Sequence, residues 1–223
     1  MVKHILFFCV FVWTCVFAFG EENKLYGPDG KLCVIVSDEG GVPSYSVLYE
    51  GVTFLQKSPL GIETNLGDFT LQMALTHVGQ LSSVNEEYQL LTIKTAKQAS
   101  ERDPRYQANV QTYTFSKGGR KIYDIVFQVS NHDIAFKYRV YSQDNILCCI
   151  VKKEATGFML PEGSTTFLCP QAAPMGGFAR TSPSYETSYT VDDVTGKNGW
   201  GNGYTFPCLF KNEDKGWILI SET

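Results

Sequence analysis

The stretch Tyr123–Tyr141 (YDIVFQVSNHDIAFKYRVY) decides the fold. Apolar residues alternate with polar or charged ones through Tyr123–Val129 and again through Ile134–Tyr141. A period of two is typical of strands with one buried face. The polar residues Ser130–Asp133 between the two runs have the composition of a short turn. The sequence therefore predicts an antiparallel hairpin here.

The same kind of pattern recurs along the chain, between clusters of Gly, Pro, Asn and Asp. Helical spacing is not sustained over three turns in any segment, so the period of two dominates. Many short strands of this kind indicate an all-β, large antiparallel β-sandwich. The other predicted strands are Lys31–Ser37, Pro43–Tyr49, Val52–Gln56, Tyr88–Thr95, Asn109–Ser116, Ile146–Lys152, Thr165–Leu168, Thr205–Leu209 and Trp217–Ser221.

One long stretch departs from this pattern. Residues Pro170–Gly203 are rich in Pro, Gly, Ser and Tyr and show little alternation. A connection of this length inside a compact domain is usually functional or disordered. Its aromatic residues, among them Tyr185, Tyr189 and Trp200, favour a functional loop.

Composition sets limits on partners. The chain is 43% hydrophobic and 13% aromatic, enough to build a sizeable core. Its formal net charge is −4, so neither a nucleic acid nor an anionic membrane would be attracted electrostatically. We therefore expect no nucleic-acid partner.

The first 20 residues have the features of a secretory signal peptide. Lys3 and His4 precede an apolar run from Ile5 to Phe17, and Ala18–Gly20 resembles a cleavage site. The apolar run is shorter than the roughly 20 residues that span a membrane. We expect export to the periplasm or the extracellular space, a mature domain at residues 21–223, and no membrane association after cleavage. The chain stops in an apolar run, so we also expect it to be a fragment of a longer protein.

The cysteines and histidines carry no recognisable catalytic or metal motif. Two of the seven cysteines fall within residues 1–20, and the other five show no zinc-ligand spacing. Export makes one disulfide possible, with Cys169 and Cys208 as the candidates. His132 is interpreted as a solvated turn residue, and His77 is expected to pack at the edge of the core.

The remaining candidates for chemistry are carboxylates, most of which we expect to be merely solvated. Glu186 and Glu222 differ from the others through their context, since Glu186 lies among aromatic residues and Glu222 follows an apolar run. A carboxylate among aromatic side chains suits either calcium, which binds oxygen ligands, or sugar recognition.

Several short segments, in order, resemble the N-terminal domain of glycoside hydrolase family 97. The similarity covers residues 25–223, and the ordered set is more specific than any one member of it. The segments are Pro28–Leu32 (PDGKL), Gly41–Tyr45 (GVPSY), Ser58–Ile62 (SPLGI), Ala135–Val140 (AFKYRV), Tyr185–Tyr189 (YETSY) and Ile220–Thr223 (ISET).

This resemblance implies a β-sandwich of the galactose-mutarotase kind that precedes a catalytic (β/α)₈ barrel absent from the 223 residues. It implies a calcium-dependent α-glucosidase or α-galactosidase acting on an α-linked oligosaccharide. Within it, Glu186 would be a metal ligand and Glu222 a substrate-binding residue. No catalytic residue would lie in this chain, so the chain alone is expected to be inactive.

Two other hypotheses remain open from the sequence. The chain could be an autonomous exported carbohydrate-binding module that holds glycans without hydrolysing them. It could also be an exported structural or adhesive domain that uses its aromatic residues for the core alone.

Overall fold

A computed structural model describes residues 23–87, 105–143, 148–170, 190–191 and 204–222. In these ranges the backbone forms antiparallel strands and one short 3-10 turn, Glu39–Gly41. None of the helices in the described ranges has the length and apolar character needed to cross a bilayer. The strands are β1 Lys24–Tyr26, β2 Leu32–Ser37, β3 Ser44–Tyr49, β4 Val52–Pro59, β5 Ile62–Thr64, β6 Gly67–Asp68, β7 Ala74–Val78, β8 Ser82–Glu87, β9 Arg105–Lys117, β10 Arg120–Val129, β11 Ile134–Val140, β12 Val151–Glu154, β13 Thr165–Pro170, β14 Thr190–Val191, β15 Tyr204–Asn212 and β16 Gly216–Ile220.

The described strands pair into four sheets. Sheet A has the order β1-β2-β3-β4, and sheet B has the order β12-β5-β6. Sheet C has the order β11-β10-β9-β7, with β8 also paired to β9. Sheet D has the order β14-β13-β15-β16. The prediction of an all-β antiparallel sandwich is confirmed.

The main core lies between sheets A and C. Alternation in β10 turns Tyr123, Ile125 and Phe127 inward, and all three are fully buried. The ring of Tyr45 in sheet A lies 5.9 Å from that of Phe127, centroid to centroid. Aromatic pairs at such distances stabilise a core beyond the area they bury. The stretch Tyr123–Tyr141, on which the sequence-based prediction of the fold rested, thus supplies the centre of the sandwich.

The two turns of sheet C follow from local chemistry. Gly118 and Gly119 join β9 to β10 with φ of 58° and 79°, a region that glycine enters without steric cost. The next turn is closed by Ser130, whose hydroxyl donates to Asp133 Oδ2 at 2.6 Å. The same hydroxyl oxygen accepts the backbone N–H of Asp133 at 2.9 Å. His132 lies exposed in this turn, as predicted.

Strands β7 and β8 were not predicted from the sequence. Together they pair along most of β9, with a break between Val78 and Ser82. A register shift between Leu75 and His77 turns His77 toward solvent. The prediction that His77 packs at the edge of the core is therefore wrong, because one extra residue in the strand reverses the face that follows it.

Sheet D is attached to the edge of sheet A. Asn212 is 1% exposed and donates through Nδ2 to the backbone oxygen of Thr53 at 3.2 Å. Ile218 packs against the main core, and Gly216 faces the ring of Phe54 so closely that a Cβ there would lie 3.2 Å from ring carbons. These contacts hold the last two strands against the sandwich.

The other strand predictions had mixed outcomes. Strands lie at the predicted positions in β2, β3, β4, β9, β10, β11, β13, β15 and β16. The predicted strand Ile146–Lys152 is wrong at Cys148–Ile150, which is exposed and not in a strand, because β12 begins at Val151. The predicted strand Tyr88–Thr95 lies outside the described residues.

Candidate functional site

One end of sheet D gathers several strand termini. Pro170 pairs with Tyr204, so β13 ends where β15 begins. Thr190, the first residue of β14, pairs with Leu168. Ile220, the last residue of β16, pairs with Cys208 in the middle of β15, and β16 runs toward the end of the sheet where β15 begins. We call this end, defined by Pro170, Thr190, Tyr204 and Ile220, the site end of sheet D.

Glu222 lies at the site end. It follows β16 by two residues and is exposed to solvent. Glu186 lies outside the described residues. In the sequence it lies between Pro170, the last residue of β13, and Thr190, the first residue of β14, and both of these residues belong to the site end. The sheet therefore brings Glu222 to the same end as both attachment points of the Glu186 segment.

The donor chemistry at the site end suits a hard cation only in part. A carboxylate oxygen is the ligand type that calcium prefers, but calcium takes about 6–8 oxygen ligands. Among the described residues, no group of three or more acidic, His or Cys side chains is arranged to hold a metal ion. A carboxylate from this end can contribute to a calcium shell whose other ligands come from elsewhere.

Two clefts border β7, and neither is lined by the residues that define the site end. The larger, of about 500 Å³, is lined by Asp38, His77 and Gln111 among others. Its polar groups already have structural partners, since Asp38 Oδ2 accepts the N–H of Leu75 at 2.8 Å and Gln111 Nε2 donates to the oxygen of Gly79 at 3.1 Å. We therefore assign no chemistry to this cleft.

The smaller cleft, of about 360 Å³, lies where β7 meets the turn between β9 and β10. Thr76 and Ser116 line it, and their hydroxyl oxygens are hydrogen-bonded to each other at 2.7 Å. Lys121 also lines this cleft, with its ammonium 6.0 Å from the centre of the Tyr141 ring. This cleft too is built from side chains that bind one another.

A buried carboxylate that sequence reasoning did not single out lies on sheet C. Asp124 is 2% exposed and accepts hydrogen bonds from the hydroxyls of Thr114 at 2.8 Å and Tyr141 at 2.9 Å. The Arg139 guanidinium lies 3.7 Å from Asp124 Oδ2. The hydrogen bond to Asp124 raises the pKa of Tyr141, because ionising the phenol would remove that bond and place two negative charges together. The signal in the sequence was an acidic residue in an otherwise apolar strand, and the network is structural.

The disulfide candidates remain untested. Cys208 is buried on the inner face of sheet D, while the side chain of Cys169 lies outside what the structure describes. Cys33 is also buried, and its burial raises the pKa of the thiol, so it behaves as a small core residue.

The four antiparallel sheets of the described residues define an all-β sandwich domain. Comparison with known families identifies it further. Residues 25–223 match the glycosyl-hydrolase 97 N-terminal family. The chain therefore belongs to glycoside hydrolase family 97, and this region is its N-terminal domain. A comparison with curated proteins returned no match.

Solved structures of family members are similar to this chain. The crystal structure of a β-arabinopyranosidase is 41% identical, with a TM-score of 0.77 over 90% of this chain. A family 97 enzyme from Pseudoalteromonas sp. strain K8, in complex with panose, is 26% identical with a TM-score of 0.67 over 86% of this chain. The same enzyme in complex with acarbose is 25% identical with a TM-score of 0.66. This chain spans only 31% of the β-arabinopyranosidase and 27% of the Pseudoalteromonas enzyme.

Proposed function

We propose that this domain is the non-catalytic N-terminal part of an exported, calcium-dependent α-glycoside hydrolase. It packs against a C-terminal catalytic barrel of the same polypeptide and forms one wall of the substrate pocket. Glu186 contributes a ligand to the calcium ion, and Glu222 lines the pocket for an α-linked oligosaccharide. The observation that carries the proposal is the site end of sheet D, which unites Glu222 with both attachment points of the Glu186 segment.

The different roles proposed for the barrel and for this domain follow from the chemistry of glycoside hydrolysis. The reaction needs one carboxylic acid to protonate the leaving oxygen and a second carboxylate to act as base or nucleophile. Those two groups stand about 5–10 Å apart across the scissile bond. In this proposal both belong to the barrel, and this domain positions and encloses the substrate. Calcium, when bound, would stabilise developing negative charge.

The substrate class has support from the relatives. The Pseudoalteromonas enzyme has been crystallised with panose and with acarbose, both of which are oligosaccharide ligands. The relative with 41% identity is a β-arabinopyranosidase, so an arabinopyranoside is a second candidate substrate. Export is supported by the basic and apolar pattern of residues 1–20.

The test is a chimera in which residues 25–223 replace the matching region of the β-arabinopyranosidase. Glu186→Gln removes the charge at nearly constant volume, so it should weaken calcium affinity in a calorimetric titration and lower turnover. Glu222→Gln should raise KM with a smaller effect on calcium. Glu162→Gln is the matched control, since Glu162 is an exposed glutamate just before β13, at the opposite end of sheet D.

Equal calcium affinity in wild type and Glu186→Gln would show that the ligand has been assigned to the wrong residue. Aryl α-glucoside, α-galactoside and β-arabinopyranoside should be assayed in parallel to separate the candidate substrates. On its own, the mature part of the 223-residue chain, residues 21–223, should not turn over any of them. Turnover above that of a Glu186→Ala, Glu222→Ala double variant would contradict the non-catalytic role, while tight glycan binding without turnover would favour an autonomous binding module.

A further inference from the structure

Sheet D presents apolar side chains on both of its faces. On the inner face, Leu168, Cys208 and Ile220 form a buried cluster. Phe210 and Ile218 pack beside it, and Ile218 also contacts the main core. This face fixes the sheet to the rest of the domain.

The outer face of sheet D is apolar too. The register places Phe167, Leu209 and Leu219 in one row across three strands. Lys211 and Trp217 form the next row. The Phe167 and Trp217 rings lie 5.5 Å apart, centroid to centroid, so the two rows are in contact. We call the patch formed by Phe167, Leu209, Trp217 and Leu219 the outer apolar patch.

The outer apolar patch is partly open to solvent in the described part of the chain, with Phe167 and Leu209 half-buried and the other two side chains exposed. Trp217 is 55% exposed and Leu219 is 64% exposed. Single exposed apolar residues are ordinary, but contiguous apolar patches mark interaction surfaces. A sheet with both faces apolar is typical of a layer that is covered on both sides.

The chemistry of the patch favours a protein surface over a sugar. Sugar sites combine an aromatic face with side chains that hydrogen-bond the hydroxyls. Here the Trp217 ring is flanked by Phe167 and by the Lys211 ammonium, 6.0 Å from its centre. The neighbouring row continues into Leu209 and Leu219, which offer no hydrogen bonds.

The relatives indicate which protein surface this is. The β-arabinopyranosidase chain is matched over 31% of its length, so most of that enzyme lies outside the region shared with this domain. A domain that forms part of such a chain needs a surface to hold the remainder. The outer apolar patch has the composition for that role, since interface centres are enriched in aromatic residues and depleted of charge.

We propose that the outer apolar patch of sheet D is the docking surface for the remaining part of the same glycoside hydrolase chain. The proposal rests on the proposed function, because that function supplies the second unit. Trp217 and Leu219 are its central anchors. Docking there also places the site end of sheet D, and Glu222, beside the second unit.

Oxidative footprinting of Trp217 tests the docking. The 223-residue chain and the chimera described above are exposed to hydroxyl radicals, and oxidation at Trp217 is followed by mass spectrometry. We expect Trp217 to oxidise several-fold more slowly in the chimera. Hydrolytic activity of the same chimera is measured separately, so a failure of docking is distinguishable from a failure of the proposed function.

A pair of leucine variants gives a second, independent measurement. Leu219→Ser in the chimera should restore oxidation of Trp217 and lower the thermal midpoint by several degrees. The matched control is Leu81→Ser, because Leu81 is 61% exposed but lies between β7 and β8, far along the chain from sheet D. Leu81→Ser should change neither quantity, and in the 223-residue chain Leu219→Ser should leave the midpoint unchanged.

Several results would overturn the proposal. Equal oxidation of Trp217 in an active chimera would place the docking surface elsewhere while leaving the proposed function intact. Protection of Trp217 in the 223-residue chain by maltooligosaccharides would make the patch a sugar platform. A dimer of the 223-residue chain that Leu219→Ser dissociates, without protection in the chimera, would make it a self-association surface.

Discussion

Sheets C and D each pack one face on the domain, but their outer faces differ in chemistry. Polar and charged side chains predominate on the outer face of sheet C, whereas the outer face of sheet D carries aromatic and aliphatic ones beside Lys211. In β11, Lys137 and Arg139 point outward and are exposed. In β16, Trp217 and Leu219 occupy the equivalent outward positions.

This difference separates a surface adapted to water from one adapted to a partner. A sheet with one solvated face alternates between apolar and polar residues, as β11 does. Strand β16 alternates in burial but not in polarity, since its exposed residues are as apolar as its buried ones. In β11 of sheet C the exposed residues are therefore mainly polar, as expected for a solvated face. In β16 of sheet D the exposed residues are apolar, so hydrophobicity and burial disagree there. This disagreement is the basis for the docking surface proposed on sheet D.

From the comparison of sheets C and D, we expect the inner face of sheet C to contribute most of the folding stability of the domain. Phe127 is fully buried and its ring contacts those of Tyr45, Tyr113 and Phe136. Phe127→Ala should lower the free energy of unfolding by about 4 kcal/mol, through lost transfer energy and a residual cavity. Urea denaturation at pH 7 measures this, and a loss below about 2 kcal/mol would contradict a core centred on Phe127.

The outer face of sheet C should contribute stability through its one buried carboxylate network. Asp124→Ala removes the acceptor for Thr114 and Tyr141 and should cost about 3 kcal/mol, since hydrogen bonds to a charged group contribute about 1.5–3 kcal/mol each. Asp214→Asn is the control, because Asp214 is fully exposed and lies 3.7 Å from Lys211. Its cost should be within about 0.5 kcal/mol. Equal costs in the two variants would remove the special role of Asp124.

Alkaline pH should weaken the sandwich through its tyrosines. Burial raises the pKa of Tyr138 to about 12 and also raises the pKa of Tyr123. A tyrosine whose folded-state pKa is raised stabilises the protein fully below the ordinary value of about 10, and this stabilisation is lost as pH rises toward the folded-state value. Each such tyrosine should contribute a slope of up to about 1.4 kcal/mol per pH unit between these two values.

Tyr138→Phe isolates one of these contributions. The variant loses the bond from the Gly61 N–H at 2.8 Å, so its stability at pH 8 should also fall. The informative quantity is therefore the slope of unfolding free energy between pH 10 and about 11, which should become shallower by up to one proton. Parallel slopes in wild type and variant would show that Tyr138 does not stay protonated in the folded state.

The smallest effect is expected on the outer face of sheet D. In the 223-residue chain, Leu219→Ser should change the unfolding free energy by less than about 0.5 kcal/mol, because Leu219 is 64% exposed. Its neighbour Ile220 is 9% exposed, and Ile220→Ser should cost about 2–4 kcal/mol. Similar costs for the two variants, measured by urea denaturation, would mean that both faces of β16 are already buried in the domain.

The strands that were predictable from the sequence are those whose pattern reflects burial. β10 and β11 combine apolar alternation with turn residues such as Gly118 and Gly119, and β2 is a continuous apolar run, so local information was sufficient. β8 was missed because its residues, Ser82–Glu87, are almost all polar and exposed. It forms a strand because β9 offers a long ladder of backbone partners, and that pairing is not local.

The candidate site was predictable in chemistry but not in arrangement. Carboxylates near aromatic residues singled out Glu186 and Glu222, and the family resemblance gave them roles. That Glu222 shares one end of sheet D with Pro170 and Thr190 depends on the register of three strand pairs. Asp124 and the bulge at Thr76 were missed for the same reason, since both depend on which strands become neighbours.

The sequence by itself determined the fold class, the hairpin at the centre of the sandwich and the family, because period-two alternation and turn residues act locally along the chain. Only the tertiary structure decided the exposure of His77, the burial of Asp124 and the exposed apolar face of sheet D. Each of these depends on pairing between strands that are far apart in sequence. The apolar pattern of β16 is typical of a strand that is covered on both faces. Only the folded domain shows that the face carrying Trp217 and Leu219 is exposed.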